Sequence, residues 1–300
     1  MNTTKFRIVL IAVIALILIV SFSGCTREQG KVAVIRLSGT IAGSSQQGLL
    51  TTGGISPKQV RDYLDMAKSD GDIKAVVLRI DSPGGAAAAS QEIASEVRHF
   101  REVTGKPVVV SMGDLAASGG YYISAYADRI VANPSTLTGS IGVISQFIHI
   151  EGLLEKIGLE LETVKAGKHK DMGIWPLTEE QRQIMQDITD ELYEQFVAAV
   201  ADGRNLPVGE VRQLATGQLY TGVQALNLGL VDELGGLETA IELASSLAGI
   251  TTPEIEEYSP SASFFERLLG GLALPSLLPL SGDELLFLRM LEGWQGMPRY

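Results

Sequence analysis

The chain has 300 residues, 45% of them hydrophobic and 33 of them glycine, which suits one large α/β core or two small ones with many tight turns. Acidic side chains (35) outnumber basic ones (24) for a formal net charge of −11, and nucleic acid is excluded as a partner because phosphate binding needs clustered cations. One cysteine rules out an internal disulfide, and the scattered His99, His149 and His169 form no HExxH pattern, so neither a metal nor a cofactor is expected.

Lys5 and Arg7 precede an uncharged run from Ile8 to Phe22 that is apolar but for Ser21. As a helix this run rises roughly 22 Å, short of a hydrocarbon core of roughly 30 Å, so it suits a secretory h-region or an anchor stretched by its flanks. Ser23-Gly24-Cys25 then places small residues before the sole cysteine, as at a lipoprotein processing site, although Phe22 stands where an aliphatic residue is usual. Residues 1–25 are therefore read as a signal anchor or as a lipoprotein signal peptide with Cys25 as the lipidated residue. Either way the preceding positive charges put the rest of the chain on the extracytoplasmic side of the cell membrane. A linker, 26–31, is short enough to hold the folded part close to the bilayer.

From residue 32 strands and helices alternate. Val32-Ala33-Val34-Ile35 reads as a buried strand, and Ser56-Pro57 as the cap and first residue of a helix running through Ala67. Ile73 to Ile80 is a second strand, followed by a helical stripe of Ile93, Val97 and Phe100. Val108-Val109-Val110 is a third, leading to a helix that carries Tyr121 to Tyr126, and Ile130-Val131-Ala132 a short fourth. The order predicts parallel β-α-β units. Thr178 caps a long helix whose Ile184, Ile188, Leu192 and Phe196 predict a core-facing stripe. Leu214 to Gly236 reads as short helices and turns. The peptidase-sized unit spans 32–250, and 251–300 is a C-terminal extension, for assembly or membrane contact or simply peripheral, with apolar pairs broken by Pro275 and Pro279.

Three glycine-bearing turns carry the candidate chemistry. Asp81-Ser82-Pro83-Gly84-Gly85 lies between a strand and a helix, where paired glycines can turn an N–H toward an oxyanion. Ala116-Ala117-Ser118-Gly119-Gly120 strips bulk from both sides of a hydroxyl at a strand-to-helix turn; a helix cap alone does not require that. It is not the GxSxG elbow, because Ala116 stands two residues before the serine. Thr138-Gly139-Ser140-Ile141-Gly142 offers a second hydroxyl. Lys165, Lys168 and Lys170 follow, and serine with lysine is a workable nucleophile–base pair; alternation along an extended segment leaves Lys168 and Lys170 on one face and does not choose between them. His149, in an apolar run, reads as structural rather than as a base.

In order and spacing, Asp81-Ser82-Pro83-Gly84-Gly85, Ala117-Ser118-Gly119-Gly120-Tyr121-Tyr122, Gly139-Ser140-Ile141-Gly142 and Gly167 with Lys170-Asp171 resemble the signal peptide peptidase A family in its short, single-module form. Gly217 to Gly222 and Gly229 to Gly236 fit as well, so the likeness covers roughly residues 32 to 245. Ala86, where a third glycine is frequent, and Cys25 depart from the pattern. The resemblance implies an α/β fold of the Clp-protease-like, crotonase type and a membrane-tethered serine endopeptidase acting on signal-peptide remnants or other membrane-associated or unfolded chains. It makes Ser118 the nucleophile, Lys170 the general base, Ser140 a hydroxyl that orients the lysine, and Gly85 and Gly119 the oxyanion-hole donors. Because serine and lysine come from different modules or neighbouring subunits in the family, it also implies a homo-oligomer, an octamer in the first instance. Lysine can act as a base only when its pKa falls by about three units, a cost of about 4 kcal/mol to the folded site, so Asp171 is expected to turn away from Lys170. The competing expectations are a non-catalytic membrane-tethered scaffold and a crotonase-type thioester enzyme, the latter at odds with export.

Overall fold

The computed structural model describes residues 29–44, 54–173 and 175–258. The apolar N-terminal run, Cys25 and the apolar pairs beyond residue 258 lie outside the described residues.

Strand β1 (Gln29–Ser38) is buried on both faces: Val32 and Val34 enter one apolar layer, Ala33, Ile35 and Leu37 the other. Burial on both sides is what a parallel strand covered by helices requires. Helix α1 (Pro57–Ser69) starts as expected, with the Ser56 hydroxyl accepting from the Gln59 N–H and proline in the first turn, where a missing N–H costs nothing. Strand β2 (Ile73–Ser82), helix α2 (Ala87–Thr104) and strand β3 (Val108–Ala117) complete the first β-α-β units, with Ile93, Val97 and Phe100 of α2 buried in the main core.

Helix α3 (Gly119–Ser124) is followed by β4 (Arg129–Ala132), β5 (Leu137–Gly139), α4 (Glu151–Lys156), α5 (Glu179–Arg204) and α6 (Val208–Leu214). Then come β6 (Leu219–Thr221), α7 (Gly222–Asn227), β7 (Glu233–Leu234), α8 (Leu237–Leu247) and β8 (Thr252–Tyr258). The sheet order is β6-β5-β3-β2-β1-β8, with β4 joined to β3 and β7. Pairings are parallel except β5 with β6, an antiparallel contact that the alternation of strands and helices did not foresee. Beyond residue 250 the chain still contributes to the sheet, since β8 pairs with β1 from Thr252 to Tyr258. Among the described residues no helix is long and apolar enough to cross a membrane.

Strand β3 positions the site. Its first half pairs with β4 (Val109 to Ser111) and its second half with β5 (Leu115 to Ala117), after a register shift against β2 between Ile80 and Ser82. The strand thus changes neighbour midway and delivers Ser118 at the carboxyl end of the sheet. Helix α5 corrects the expected stripe: Phe196 is fully buried and Leu192 packs on the core, but Ile188 is 39% exposed. Only the C-terminal half of this 26-residue helix lies against the core.

Candidate active site

Ser118 adopts φ 54° and ψ −119°, and Ser140 has φ 50°. With Asn205 they are the non-glycine residues of positive φ among the described residues. Such a conformation costs a serine roughly 1–3 kcal/mol and persists only where the surroundings hold it. Here they do: the Ser118 N–H donates to the Gly139 carbonyl and the Ser140 N–H to that of Gln218, both at 2.8 Å. The Ser118 hydroxyl makes no hydrogen bond to the start of α3, so it is not an ordinary helix cap. It lines instead a cavity of about 460 Å³ shared with Ser140, Gly84 and Gly85.

The two glycine turns meet behind the serine. A methyl group built on Gly119 would lie 2.4 Å from Ser90 Oγ, 3.2 Å from Ile41 Cδ1 and 3.4 Å from the Gly84 Cα. Gly85, at φ +159°, would place one 2.0 Å from the Ile41 carbonyl oxygen. Only glycine permits this approach. Gly119 opens α3, so its N–H belongs to the first turn, where no intrahelical acceptor exists. The Gly85 N–H makes no backbone hydrogen bond among the described residues. Tyr122, next to the serine turn, is pushed up to about 12 by burial and stays a neutral phenol at any working pH.

Lys170 lies elsewhere. It is exposed, in a turn where its N–H donates to the Gly167 carbonyl at 3.3 Å, and it is not among the residues lining the Ser118 cavity. Ion pairs separate the three lysines that alternation could not. Lys165 Nζ reaches Asp171 Oδ2 at 2.5 Å, and Lys168 pairs with Glu180, whereas Lys170 makes no ion pair among the described residues. Asp171 pairs with Lys165 and makes no ion pair with Lys170, from which it was expected to turn away, and the hydrogen bond from Lys165 holds its carboxyl below the ordinary 3.8. A lysine with a carboxylate partner keeps its proton; one without a partner can lose it on burial. His149 and its neighbours Ile148 and Ile150 are exposed, not core, and His149 does not line the cavity.

The stretch from Ser140 to Lys170 is unusual in what it leaves uncovered. Helix α4 buries none of its residues, Ile148, Leu153, Ile157 and Leu159 are exposed, and Val164 is 94% exposed. Sequence reasoning missed this arm, and it missed Tyr193, Ala215 and Thr216, which also line the cavity. Their signal was weak: a helix tyrosine and a loop bear no chemistry-bearing pattern.

The profile of peptidase family S49 matches residues 101–251, a stretch that holds Ser118, Ser140 and Lys170. The chain belongs to peptidase family S49. It is 38% identical over 264 residues to a candidate protease of Methanocaldococcus jannaschii, covering 84% of this chain and 83% of that one. It is 35% identical over 247 residues to a candidate signal peptide peptidase SppA of Enterococcus faecium, covering 80% and 71%. A membrane-bound stomatin-specific protease superposes with a TM-score of 0.51 over 78% of this chain and 100% of its own, at 17% identity, which speaks for the fold alone. The S49 chain described here is thus a serine-type peptidase of the signal peptide peptidase A family. Neither the scaffold nor the thioester reading survives that membership.

Proposed function

We propose that this S49 peptidase is a membrane-tethered endopeptidase with a Ser118–Lys170 dyad, working as a homo-oligomer, an octamer, on the extracytoplasmic face of the cell membrane. Its fold is then of the Clp-protease-like, crotonase type. The observation that carries the reading is the strained, pocket-lining Ser118, backed by glycine turns and set against Lys170, which makes no ion pair among the described residues and stands on an exposed apolar arm. Among the described residues no base lines the Ser118 cavity, and the arm exposes isoleucines and leucines that a neighbouring copy would cover. Burial of the arm against that copy would also strip water from Lys170, and desolvation disfavours a charged ammonium.

In the reaction, neutral Lys170 Nζ takes the Ser118 hydroxyl proton as Oγ attacks the peptide carbonyl carbon. The resulting oxyanion is held by the N–H groups of Gly85 and Gly119. Lys170 passes its proton to the departing amine as the C–N bond breaks, leaving Ser118 acylated. Water then gives a proton to Lys170 as it attacks the ester, and Lys170 returns that proton to Ser118 Oγ as the acid leaves. Ser140 accepts a hydrogen bond from Lys170 and aims its lone pair. Substrates are signal-peptide remnants and other unfolded or membrane-associated peptides.

The test is complementation. Ser118→Ala and Lys170→Ala proteins should each be inactive on a fluorogenic apolar peptide, and mixing and reassembling them should restore cleavage, because one copy brings the serine and the other the lysine. Activity in Lys170→Ala alone would sink the dyad. Inactive singles whose mixture stays inactive, with oligomers formed, would sink the shared site.

A further inference from the structure

Part of the wall around Ser118 comes from residues distant in sequence. Ala215, Thr216 and Gly217 follow α6, and Tyr193 stands on α5. Backbone bonds lock the first three to the turn that carries Ser140: the Gly217 N–H donates to the Ile141 carbonyl at 3.0 Å and the Ser140 N–H to that of Gln218 at 2.8 Å. A methyl group on Gly142 would come within 3.2 Å of the Gly217 Cα, so the two backbones touch.

Tyr193 braces this wall. Its hydroxyl donates to the Ala215 carbonyl at 3.0 Å, and its ring packs at the edge of the main core. One turn further along α5, the Phe196 ring meets the Tyr122 ring with centroids 5.0 Å apart. The Tyr122 N–H in turn donates to the Ser118 carbonyl at 2.9 Å. The Tyr193 hydroxyl thus ties its ring to the wall behind the Ser140 turn, while Phe196 on the same helix packs beside the serine turn. No lining side chain among the described residues is charged, so a charged substrate side chain would lose its water without finding a partner. The volume of about 460 Å³ lies within the roughly 300–1,000 Å³ of ligand sites and accommodates a short stretch of peptide.

We propose that Tyr193 is the specificity-determining residue of this pocket: its ring, packed against the edge of the core, sets the size limit for the uncharged side chain that precedes the cut. The inference rests on the reading of the Ser118 cavity as the place of peptide cleavage. It is tested on the full-length protein with fluorogenic peptides that differ only at the residue before the cut, alanine against tryptophan, by comparing kcat/KM. Tyr193→Ala should raise the tryptophan-to-alanine ratio by about tenfold or more, whereas Tyr193→Phe, which keeps the ring, should hold it within about threefold of the parent. A merely structural role would lower both peptides alike, and an unmoved ratio or a uniform fall overturns the proposal. If Tyr193→Ala does not fold, Tyr193→Leu gives the same comparison with less lost packing, and an unmoved ratio there is equally fatal. Covalent labelling of Ser118 by an acylating probe is scored separately. An unlabelled parent protein defeats the underlying reading, while a labelled one with an unmoved ratio defeats only the assignment to Tyr193.

Discussion

Replacing Gly119 by alanine tests the geometry behind the nucleophile. The added methyl group would sit 2.4 Å from Ser90 Oγ, with Ile41 Cδ1 at 3.2 Å and the Gly84 Cα at 3.4 Å closing the other sides. Ser90 is fully buried and donates to the Ala86 carbonyl at 3.0 Å, so its hydroxyl can rotate away only by giving up that bond inside the core. The alternative is a shift of the α3 start and of the Gly119 N–H with it. Overpacking of this kind costs about 1–3 kcal/mol, which for a domain of this size lowers Tm by roughly 2–12 °C. Misplacing one oxyanion donor lowers the rate by a further factor of about 10²–10³. Acylation of Ser118 by a fluorophosphonate, followed by stopped gel fluorescence, reads the rate, and thermal unfolding reads the stability. The reasoning also fixes the cure, because Ser90→Ala removes the one atom nearer than 3 Å. The double variant Gly119→Ala/Ser90→Ala should recover at least about tenfold in rate and most of the Tm, less the roughly 1 kcal/mol of the lost hydrogen bond. Parent-like acylation in Gly119→Ala, or a double variant no better than the single one, would refute the argument.

Ser140→Gly relieves a positive φ while deleting a hydroxyl, so unfolding should show unchanged or slightly raised stability, by up to about 1 kcal/mol, alongside a fall in kcat of about tenfold or more. Tyr121→Phe removes the buried bond from its hydroxyl to the Leu230 carbonyl, 2.9 Å long, and should cost about 1–3 kcal/mol in chemical denaturation with Ser118 labelling intact. Asp171 has its pKa depressed by Lys165, so its contribution is present above the ordinary 3.8 and is lost as pH falls through the lower folded value. Protection of the 165–171 amides from hydrogen exchange should accordingly be weaker in Asp171→Asn than in the parent at pH 7. That difference should vanish under strongly acidic conditions, and a difference that widens with acid would contradict the ion pair.

Much of the architecture was legible because the local rules and the tertiary structure agree. Val32 to Ile35 and Val108 to Val110 are apolar without alternation, and they lie in strands buried on both faces. Ser56-Pro57 and Thr178 announced their helices through capping chemistry that is independent of the rest of the fold. The Ser118 turn stood out because glycine and alanine cluster where backbones must nearly touch. What stayed hidden was relational. Apolar periodicity in α5 reports that a face is apolar and not that something covers it, so Ile184 and Ile188 read like Phe196 although the partner layer ends between them. The choice among Lys165, Lys168 and Lys170 depends on which carboxylates lie within reach, and Glu180 becomes a neighbour of Lys168 only once the chain has turned.

Strands β1, β2, β3 and β8 all run the same way, and the described chain enters the sheet at Gln29, beside Thr252. Ser118 leaves β3 at the far end, as Gly84 and Gly85 do from β2. A ten-residue strand such as β1 spans roughly 33 Å. On the tether proposed above, a leash attached ahead of Gln29 would grip the domain at the end opposite Ser118. With the domain held that way up, a scissile bond would have to stand clear of the bilayer by about the length of the sheet before Ser118 met it.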